Sequence, residues 1–263
     1  MFTAAGKKVL VTGASSGIGA ALARAFAAAG ATVGICARRE GRLAEVLADC
    51  RRHTPDSRSW TVDLADLAAV DRLAAEVPDA LGGLDILVNN AGIPLRRHVT
   101  DLTPDDVDRA MLVNYLSPVR LTLALLPHLR ARTEAWIVTI SSVAATLSSP
   151  GEAAYDASKA AITAFAEALA IDLWDSGVHG LVVHPGLVAT ELLDAPDNEP
   201  VAADIEPITA EEVATEVLAA LDAGAHQLYV PGWFKDIAVT KLADIDMFMA
   251  GAAEYVASQK SGG

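Results

Sequence analysis

The chain has 263 residues, of which 52% are hydrophobic and 21% charged, and its 20 Lys+Arg against 34 Asp+Glu give a net charge of −14. This composition excludes an intrinsically disordered chain, and the length is typical of one α/β domain that buries its own core. The acidic surplus disfavours nucleic acids and anionic membrane surfaces as partners.

Short apolar runs alternate with helical patterns along the chain. They predict seven strands, at residues 9–11, 32–37, 59–62, 85–88, 136–140, 181–183 and 228–230. Helices are predicted from the end of a glycine-rich loop to residue 29 and over 40–53, 67–81, 103–132 (with kinks at Pro118 and Pro127), 153–174 and 209–223. This alternation indicates right-handed βαβ units and a parallel sheet with helices on both faces.

Three of the predicted helices carry clear end signals. Gly30 follows the first helix in the place of a C′ glycine. Thr103 before Pro104 is typical of an N-cap followed by proline at the first helical position. Thr209 and Glu212 have the spacing of a capping box, so the last of these helices is expected to begin there.

Two segments lie outside the alternation. We expect one domain over 1–263, with a substrate lid at about 187–208 and a helical C-terminal extension at 233–263. The lid segment carries carboxylates at Glu191, Asp194, Asp197, Glu199, Asp204 and Glu206. We interpret them as the solvated face of a mobile lid, and the alternative is that they select a cationic substrate.

The extension predicts one amphipathic helix. Its apolar residues recur at three- and four-residue steps, at Phe234, Ile237, Ala238, Leu242, Ile245, Met249, Ala252 and Val256. The other side is mixed in charge and slightly acidic, which disfavours a membrane-surface helix. We expect the stripe to dock on protein beside the lid or across a subunit neighbour, with Trp233, Phe234 or Phe248 near the substrate mouth. The alternative is a helix that only covers the edge of the core.

Other sequence features restrict location and metal content. Met1 to Lys8 lack the apolar stretch of a signal peptide, and no unbroken run of about 18 apolar residues predicts a membrane-spanning helix. Cys36 and Cys50 are too few for a disulfide framework, so reduced thiols in a cytoplasmic protein are expected. The histidines show no metal-ligand spacing, and no metal site is predicted.

A glycine-rich loop follows the first strand and opens the first helix, with Gly13, Ser15, Ser16, Gly17, Ile18 and Gly19. Glycines in this context permit a tight turn and close backbone approach, and the helix N-terminus offers free N–H groups to a pyrophosphate. We therefore predict a dinucleotide site, the alternative being a strand-to-helix turn without a ligand.

The end of the second strand indicates which dinucleotide is bound. An NAD site would place a carboxylate there for the ribose 2′-OH, but Arg38 and Arg39 follow Ala37 instead. A guanidinium matches a 2′-phosphate bidentately, so NADP(H) is predicted. The alternative is the charged, solvated start of a loop.

Tyr155 and Lys159 lie four residues apart at the start of a predicted helix, so both project from one face. A neighbouring ammonium, together with the positive nicotinamide of an oxidised cofactor, is expected to stabilise the phenolate and to lower the pKa of the phenol. Because the carboxyl ends of parallel strands meet at one crevice, we expect further residues to converge there, at Asp63, Leu64, Asn90, Ala91, Gly92, Asn114 and Ser142.

These motifs, in this order over about residues 7–232, resemble the short-chain dehydrogenase/reductase family in its single-domain form. The resemblance implies a doubly wound, mostly parallel seven-stranded Rossmann-type sheet with helices on both faces. It implies that Tyr155 is the general acid/base and that Ser142 holds the substrate oxygen. It also implies that Lys159 binds the nicotinamide ribose and tunes Tyr155, and that Asn114 anchors a water for proton relay.

The resemblance extends to the cofactor contacts. It implies that Asn90 and Gly92 line the adenosine side and that Asp63 reaches the adenine. A clamp for the nicotinamide carboxamide is implied at Pro185, Gly186, Val188 and Thr190. Two positions depart from the commoner patterns: Ser16 stands where many NADP-preferring relatives carry a basic residue, and His184, for which we expect a packed role, precedes Pro185.

The leading hypothesis is an NADP(H)-dependent oxidoreductase for a carbonyl or secondary alcohol, with a homodimer or homotetramer implied by the resemblance. Apolar residues expected to face the pocket favour an apolar ketone, namely Ile93, Pro94, Leu95, Leu187, Leu192 and Leu193. The alternatives are an NAD-dependent alcohol dehydrogenase and a nucleotide-binding module without turnover.

Overall fold

A single seven-stranded sheet forms the centre of the molecule. The computed structural model describes residues 2–193, 195–196, 198–199 and 205–261. The strands are β1 (Lys8–Thr12), β2 (Thr32–Ala37), β3 (Arg58–Thr61), β4 (Ile86–Asn89), β5 (Ala135–Ile140), β6 (Val178–Pro185) and β7 (Gln227–Val230). They pair in the order β3-β2-β1-β4-β5-β6-β7, and every pairing is parallel. The predicted doubly wound α/β fold is therefore confirmed.

Helices cover both faces of this sheet. They are α1 (Gly17–Ala28), α2 (Glu40–Arg51), α3 (Leu67–Leu81), α4 (Pro104–Met111), α5 (Ser117–Arg130), α6 (Ala144–Leu147), α7 (Ala153–Asp172), α8 (Ala210–Asp222), α9 (Phe234–Ala243) and α10 (Ile245–Ser261). Helices α1, α2 and α8 pack in one hydrophobic cluster, and α3 and α5 pack in a second.

The side chains of β1 show why the core has two halves. Val9 and Val11 belong to the first cluster, Leu10 belongs to the second, and all three are fully buried. Successive side chains of a strand point to opposite faces, and both faces here are covered by helices. Strands buried on both sides are expected to be continuously apolar, as the short runs in the sequence are.

The predicted helix ends are present. Gly30 follows α1 with φ +87° and its N–H bonds to the carbonyl of Ala27. The Thr209 side chain accepts from the backbone N–H of Glu212 at 3.1 Å, and the Glu212 carboxylate accepts from the Thr209 N–H at 2.7 Å. Thr103 forms an equivalent capping box with Asp106, a partner that the spacing analysis did not identify.

The long helix after Thr103 is interrupted differently from the prediction. The helical path runs through Pro127, and the irregularity is a π-helical turn at Leu112–Leu116, just before Pro118. Pro118 lacks the N–H that would continue regular bonding, and the wider turn accommodates it. The turn also carries Asn114, one of the predicted site residues, into a buried position.

The whole segment Pro104–Arg130 has the length and composition to cross a membrane, with a mean hydropathy of 1.3 over its most apolar stretch. The sequence predicts no membrane-spanning helix here, because charged residues interrupt the apolar run. Long core helices meet the same criteria of length and hydropathy, and a third of this stretch is buried. The finding therefore assigns no membrane role to the segment.

The C-terminal extension forms two helices rather than one. The chain bends at Asp244 (φ −150°, ψ 92°), whose carboxylate accepts from the Met247 N–H at 2.9 Å and so caps the start of α10. Because of the bend, the apolar residues of the two helices do not form one continuous stripe. The prediction of a single buried stripe is wrong for Leu242, Ile245 and Met249, which are exposed.

Both cysteines are free and buried. Burial raises the pKa of the Cys36 thiol to about 12 and that of Cys50 to about 11. Thiols with such pKa values are unreactive at neutral pH. The free thiols agree with the expectation of reduced cysteines, while the cytoplasmic location stays a prediction.

Candidate active site

A cleft of about 1970 Å³ lies at the carboxyl ends of the strands. It opens between the neighbouring strands β1 and β4, because the helices that follow these two strands lie on opposite faces of the sheet. Open α/β sheets bind ligands at such a switch point. Nearly all of the predicted site residues line it: Gly13, Ser15, Ser16, Gly17, Ile18, Gly19, Arg38, Arg39, Asp63, Leu64, Asn90, Ala91, Gly92, Ser142, Tyr155, Lys159, Pro185, Gly186, Val188 and Thr190. Asn114 alone among the predicted residues lies behind the wall of the cleft.

The glycine-rich loop packs so tightly that side chains are excluded. A Cβ on Gly13 would lie 2.8 Å from the Ala91 Cα, and one on Gly19 would lie 2.4 Å from the Asn90 Nδ2. Gly13 also has φ +68°, in the left-handed region. The loop therefore needs glycine at these positions to lie against the end of β4.

Polar contacts tie the loop to β4. The Thr12 hydroxyl accepts from the N–H groups of Asn90 (3.0 Å) and Ala91 (3.1 Å) and donates to the carbonyl of Val88 (3.2 Å). The Asn90 amide donates to the Thr12 carbonyl at 2.8 Å. Asn90 thus supports the loop as well as lining the cleft. Sequence analysis missed Thr12, although a hydroxyl just before a glycine-rich loop was a usable signal.

The first turn of α1 points its backbone donors at the cleft. Ser16 is the N-cap residue and makes no capping hydrogen bond with its side chain. An uncapped helix N-terminus leaves N–H groups and a positive dipole end for an anion. The loop and α1 therefore provide the donors that a pyrophosphate needs.

The two predicted arginines differ in their surroundings. Arg38 is exposed at the cleft, and the described part of the chain gives it no carboxylate partner. Arg39 donates to the hydroxyls of Ser16 (2.6 Å) and Ser15 (3.1 Å) and pairs with Glu191 (2.6 Å). The Arg39 guanidinium thus lies next to Ser16, a position at which the sequence has no basic residue of its own.

The three lid carboxylates that the structure describes, Glu191, Glu199 and Glu206, are exposed, and two of them also make specific contacts. Glu191 pairs with both Arg39 and Arg42, and the Glu199 carboxylate accepts from the His98 N–H at 3.1 Å. Asp194, Asp197 and Asp204 lie outside the described residues.

Asp63 and Leu64 lie at the far end of the cleft, after β3. The Asp63 carboxylate accepts from the Ala65 N–H at 3.0 Å, which fixes the loop that follows the strand. The second oxygen of the Asp63 carboxylate can accept from a further donor, in keeping with the predicted contact to adenine.

Tyr155 and Ser142 meet at the other end of the cleft. Burial is the largest influence on the Tyr155 phenol and raises its pKa well above the ordinary value, with further rises from Glu152 and Asp156. A hydrogen bond with Ser142 and the charge of Arg96 act in the opposite direction but are weaker. The protein groups around Tyr155 therefore raise the pKa of its phenol, and the lowering by Lys159 together with an oxidised nicotinamide stays a prediction. Tyr155 is a protonated phenol at neutral pH.

Lys159 is buried in the floor of the cleft. Its ammonium donates to the Ile140 carbonyl at 3.0 Å and lies 5.8 Å from the centre of the Tyr155 ring. Burial lowers the pKa of Lys159 to about 8. Gly92 lies next to this group: a Cβ there would be 3.2 Å from the Asn114 Oδ1 and 3.4 Å from the Lys159 Nζ.

Asn114 joins two parts of the site. Its Oδ1 accepts from the Ile93 N–H at 2.8 Å, and its Nδ2 donates to the Ile93 carbonyl and to the Ser158 hydroxyl, each at 3.0 Å. Ser158 in turn donates to the Tyr155 carbonyl at 2.7 Å. Both amide hydrogens are used by the protein, so Asn114 holds the loop after β4 against α7. The role of Asn114 in anchoring a water stays a prediction.

A buried arginine that sequence analysis missed connects the loop after β4 to the lid segment. Arg96 donates to the carbonyls of Glu199 (2.8 Å), Leu192 (3.3 Å) and Leu193. Its backbone N–H also bonds to the side chain of Asn198 at 2.6 Å. A charged residue at the end of the apolar run that follows β4 was the available signal.

The predicted clamp residues after β6 contact the C-terminal extension. A Cβ on Gly186 would lie 2.3 Å from the Phe234 ring, so only glycine lets α9 approach this closely. Further residues of α9 and α10 line the same cleft, namely Ile237, Met247, Phe248, Ala252, Tyr255 and Val256. The extension thus lies beside the lid segment with Phe234 and Phe248 in the cleft wall, while Trp233 stacks outside on Phe234.

The predicted apolar lining is mostly in place. Ile93, Pro94, Leu187, Leu192 and Leu193 line the cleft. Leu95 does not, because it turns inward and packs with Ala110 and Ala154.

His184 is packed, as expected. It is fully buried, stacks on Tyr229 at 4.5 Å, and its Nδ1 bonds to the Ser142 carbonyl at 3.0 Å. A carbonyl only accepts, so Nδ1 carries the proton, and Nε2 has no partner among the described residues. Burial lowers the pKa of His184. The ring therefore supports the strand end that carries Ser142 and does not line the cleft.

No group of three or more His, Cys, Asp or Glu side chains in the described ranges is arranged to hold a metal ion. The donor groups of the cleft are hydroxyls, amides and cationic nitrogens. They suit an anionic organic ligand.

The fold and the cleft define a Rossmann-type α/β protein with its ligand site at the switch point of the sheet. Residues 7–200 match the family model described as short chain dehydrogenase, and the chain belongs to the short-chain dehydrogenase/reductase family. A short chain dehydrogenase of Pseudocercospora fijiensis is 41% identical over 196 residues, covering 73% of this chain and 63% of the relative. The chain thus spans a little over three-fifths of that relative's length.

Solved structures of the family superpose over nearly the whole chain. A Burkholderia phymatum short chain dehydrogenase/reductase in complex with NAD has a TM-score of 0.85 and 25% identity, covering 94% of this chain and 96% of its own. A Burkholderia cenocepacia short chain dehydrogenase in complex with NADP has a TM-score of 0.81 and 28% identity, covering 95% and 99%.

Proposed function

We propose that the chain is an NADP(H)-dependent oxidoreductase that transfers a hydride between the nicotinamide and the carbon of a carbonyl or secondary alcohol. The observation that carries this proposal is that a glycine-rich anion site, an arginine pair and the group Ser142, Tyr155 and Lys159 line one cleft. The NAD and NADP complexes of the structural neighbours support a nicotinamide cofactor. The preference for NADP(H) rests on Arg38 and Arg39.

The residues present fit such a cofactor. A loop in which Cβ atoms have no room, next to an uncapped helix N-terminus, suits the pyrophosphate. Arg38 and Arg39 suit a 2′-phosphate, and Lys159 suits the hydroxyls of the nicotinamide ribose. Thr190, whose methyl group would lie 2.9 Å from a Cβ on Gly17, closes over the loop from the lid side.

The bound nicotinamide supplies the hydride chemistry. In the direction of reduction, Tyr155, which is protonated at neutral pH, donates its phenolic proton to the carbonyl oxygen. The Ser142 oxygen accepts from the Ala144 N–H at 3.1 Å, which holds the hydroxyl in place to donate its hydrogen to the same carbonyl oxygen when substrate is bound. The two donors stabilise the developing alkoxide. Lys159 holds positive charge nearby.

The test is a survey of NADPH consumption across ketones of increasing size. We expect oxidation of NADPH that depends on the ketone. A nucleotide-binding module without turnover would bind NADPH and oxidise it with none of them. An NAD-dependent dehydrogenase would show the same turnover with NADH preferred.

The cleft favours a substrate with a sizeable apolar body. Small-molecule pockets are typically about 300–1,000 Å³, and 1970 Å³ leaves room for a dinucleotide and a substrate together. The part beyond Tyr155 is walled by leucines of the lid segment and by α9 and α10. We propose an apolar ketone as the substrate class.

This wall can be tested with neighbouring residues of α10. Phe248 lines the cleft, whereas Met249 is 64% exposed and does not. Phe248→Ala is expected to raise the KM for bulky ketones about 3- to 10-fold and to leave that for small ketones nearly unchanged, because a buried aromatic contact is lost. Met249→Ala is the matched control and should change neither KM. Equal effects of both substitutions would contradict the proposed wall.

The pH dependence should reflect Lys159. Because its pKa is lowered to about 8, the ammonium is charged below about pH 8 and neutral above it. We expect kcat/KM for NADPH, which reports ionisations of the free protein, to be level below about pH 8 and to fall as the pH rises through that value.

Asp156, next to Tyr155, is a second nearby group whose pKa lies close to neutral, since burial is the main cause that raises it to about 7. Asp156→Asn separates the two groups. The fall near pH 8 should persist in this variant. Its disappearance would assign the ionisation to Asp156 instead.

We also propose that the chain forms a homodimer or homotetramer. Large apolar side chains are exposed on the helices after Thr103 and Ala153, at Val107, Leu116, Leu123, Ile171 and Trp174. Exposed apolar patches of this kind are typical of interfaces. Light scattering on the purified chain measures the mass and tests the proposal.

A further inference from the structure

One lid carboxylate lies between two arginines at the adenosine end of the cleft. Glu191 pairs through Oε2 with Arg39 at 2.6 Å and through Oε1 with Arg42. The two guanidinium groups belong to the end of β2 and the start of α2, and Glu191 belongs to the segment after β6. The contact therefore joins two distant parts of the chain across the mouth of the cleft.

The position of this contact is the place for the 2′-substituent of an adenosine ribose. In dinucleotide folds that substituent lies at the end of the second strand, near the glycine-rich loop. Arg39 reaches this point, because its second terminal nitrogen donates to the hydroxyls of Ser16 (2.6 Å) and Ser15 (3.1 Å) in that loop. The same guanidinium group that suits a 2′-phosphate is thus occupied by a carboxylate.

A carboxylate between two guanidinium groups uses the donors that a phosphate would use. The hydrogen bond from Arg39 and the charges of Arg39 and Arg42 hold the pKa of Glu191 below its usual range, so it is an anion at neutral pH. A phosphate that enters this site meets a negative charge already in place. The two anions cannot share the donors without mutual repulsion.

We propose that Glu191 occupies the 2′-phosphate site as an internal competitor, and that it sets how strongly the chain prefers NADPH to NADH. This inference rests on the proposed function. The phosphate of NADPH displaces Glu191 from Arg39 and Arg42, and NADH binds without displacing it. Glu191 directly follows Thr190, which closes over Gly17, so the displacement also releases one tie of the lid segment to the body of the domain.

Equilibrium binding of the two cofactors to Glu191→Gln, without substrate, tests the proposal. The pairs are half exposed, with 44% of the Glu191 side chain accessible, so each is weak. We expect the Kd of NADPH, measured by its fluorescence, to fall about 3- to 10-fold. The Kd of NADH should stay unchanged or rise slightly, so the ratio of the two constants should grow.

Glu206→Gln is the matched control. It removes the same charge from the same loop at an exposed residue that has no arginine partner in the described part of the chain. It should leave both constants unchanged. If it raises the affinity for NADPH as much as Glu191→Gln does, the effect is one of net charge and the proposal is overturned.

The Arg39→Ala/Arg42→Ala variant shows whether Glu191 and the 2′-phosphate compete for these two arginines. In the Arg39→Ala/Arg42→Ala background, Glu191→Gln should no longer change the Kd of NADPH. An unchanged NADPH/NADH ratio in the single variant would overturn the inference while leaving the proposed function intact. Failure of the wild-type chain to bind either cofactor would instead overturn the proposed function.

Discussion

Tyr155→Phe is expected to lower the turnover of ketone reduction at least about 100-fold, because general acid catalysis by a positioned side chain contributes about 10²–10⁴-fold. The substitution removes the phenolic hydroxyl and keeps the ring, so the cleft retains its shape. Steady-state kinetics with saturating NADPH measures the loss. The NADPH Kd should survive, since the hydroxyl contributes little to cofactor binding.

Tyr115→Phe is the matched control for this experiment. Tyr115 does not line the cleft, and its ring packs edge-on against Phe165 at 6.4 Å. The same chemical change there should leave turnover near the wild-type value. If Tyr155→Phe reduced ketones at a near wild-type rate, Tyr155 would not be the acid.

Arg38→Ala is expected to raise the KM for NADPH about 10- to 100-fold and to leave that for NADH nearly unchanged. A hydrogen bond to a charged group contributes about 1.5–3 kcal/mol, and only NADPH offers the 2′-phosphate. Arg38 is exposed at the cleft and has no carboxylate partner among the described residues, so its guanidinium is available to the phosphate.

Arg38→Lys separates charge from geometry. It keeps the positive charge and loses the planar fork, so the KM for NADPH should lie between those of the wild type and Arg38→Ala. Parallel increases for NADPH and NADH in Arg38→Ala would show that Arg38 stabilises the loop and does not recognise the phosphate.

The parts of the fold that were predictable depend on short-range patterns. Val9, Leu10 and Val11 are apolar because the strand is buried on both faces, and Gly30 and Thr209 act within one helical turn of their own positions. Such signals are contained in a few neighbouring residues. They were sufficient to predict the strand and helix order.

The parts that were missed depend on distant contacts. Arg96 donates to carbonyls about a hundred residues away, and Glu191 meets Arg39 although 152 residues separate them along the chain. No local pattern encodes either contact. The burial of Tyr155 next to Glu152 and Asp156, which raises the pKa of its phenol, is likewise not encoded in a local pattern.

The C-terminal extension shows an intermediate case. Apolar periodicity correctly predicted helix, but it ran through Asp244, whose capping role ends one helix and begins another. An Asp followed three residues later by an apolar helical run was a sufficient signal for the break.

The contact between Phe234 and Gly186 has a consequence for engineering substrate range. An aromatic ring lies 2.3 Å from the place of any Cβ at residue 186. The residue at 186 and the aromatic residue at 234 therefore have to be compatible with each other. Exchanging the extension with that of another family member would succeed only if the donor segment suits a glycine at 186. Chimaeras designed by cutting the chain at Gly232 should therefore carry residues 186 and 234 from the same parent.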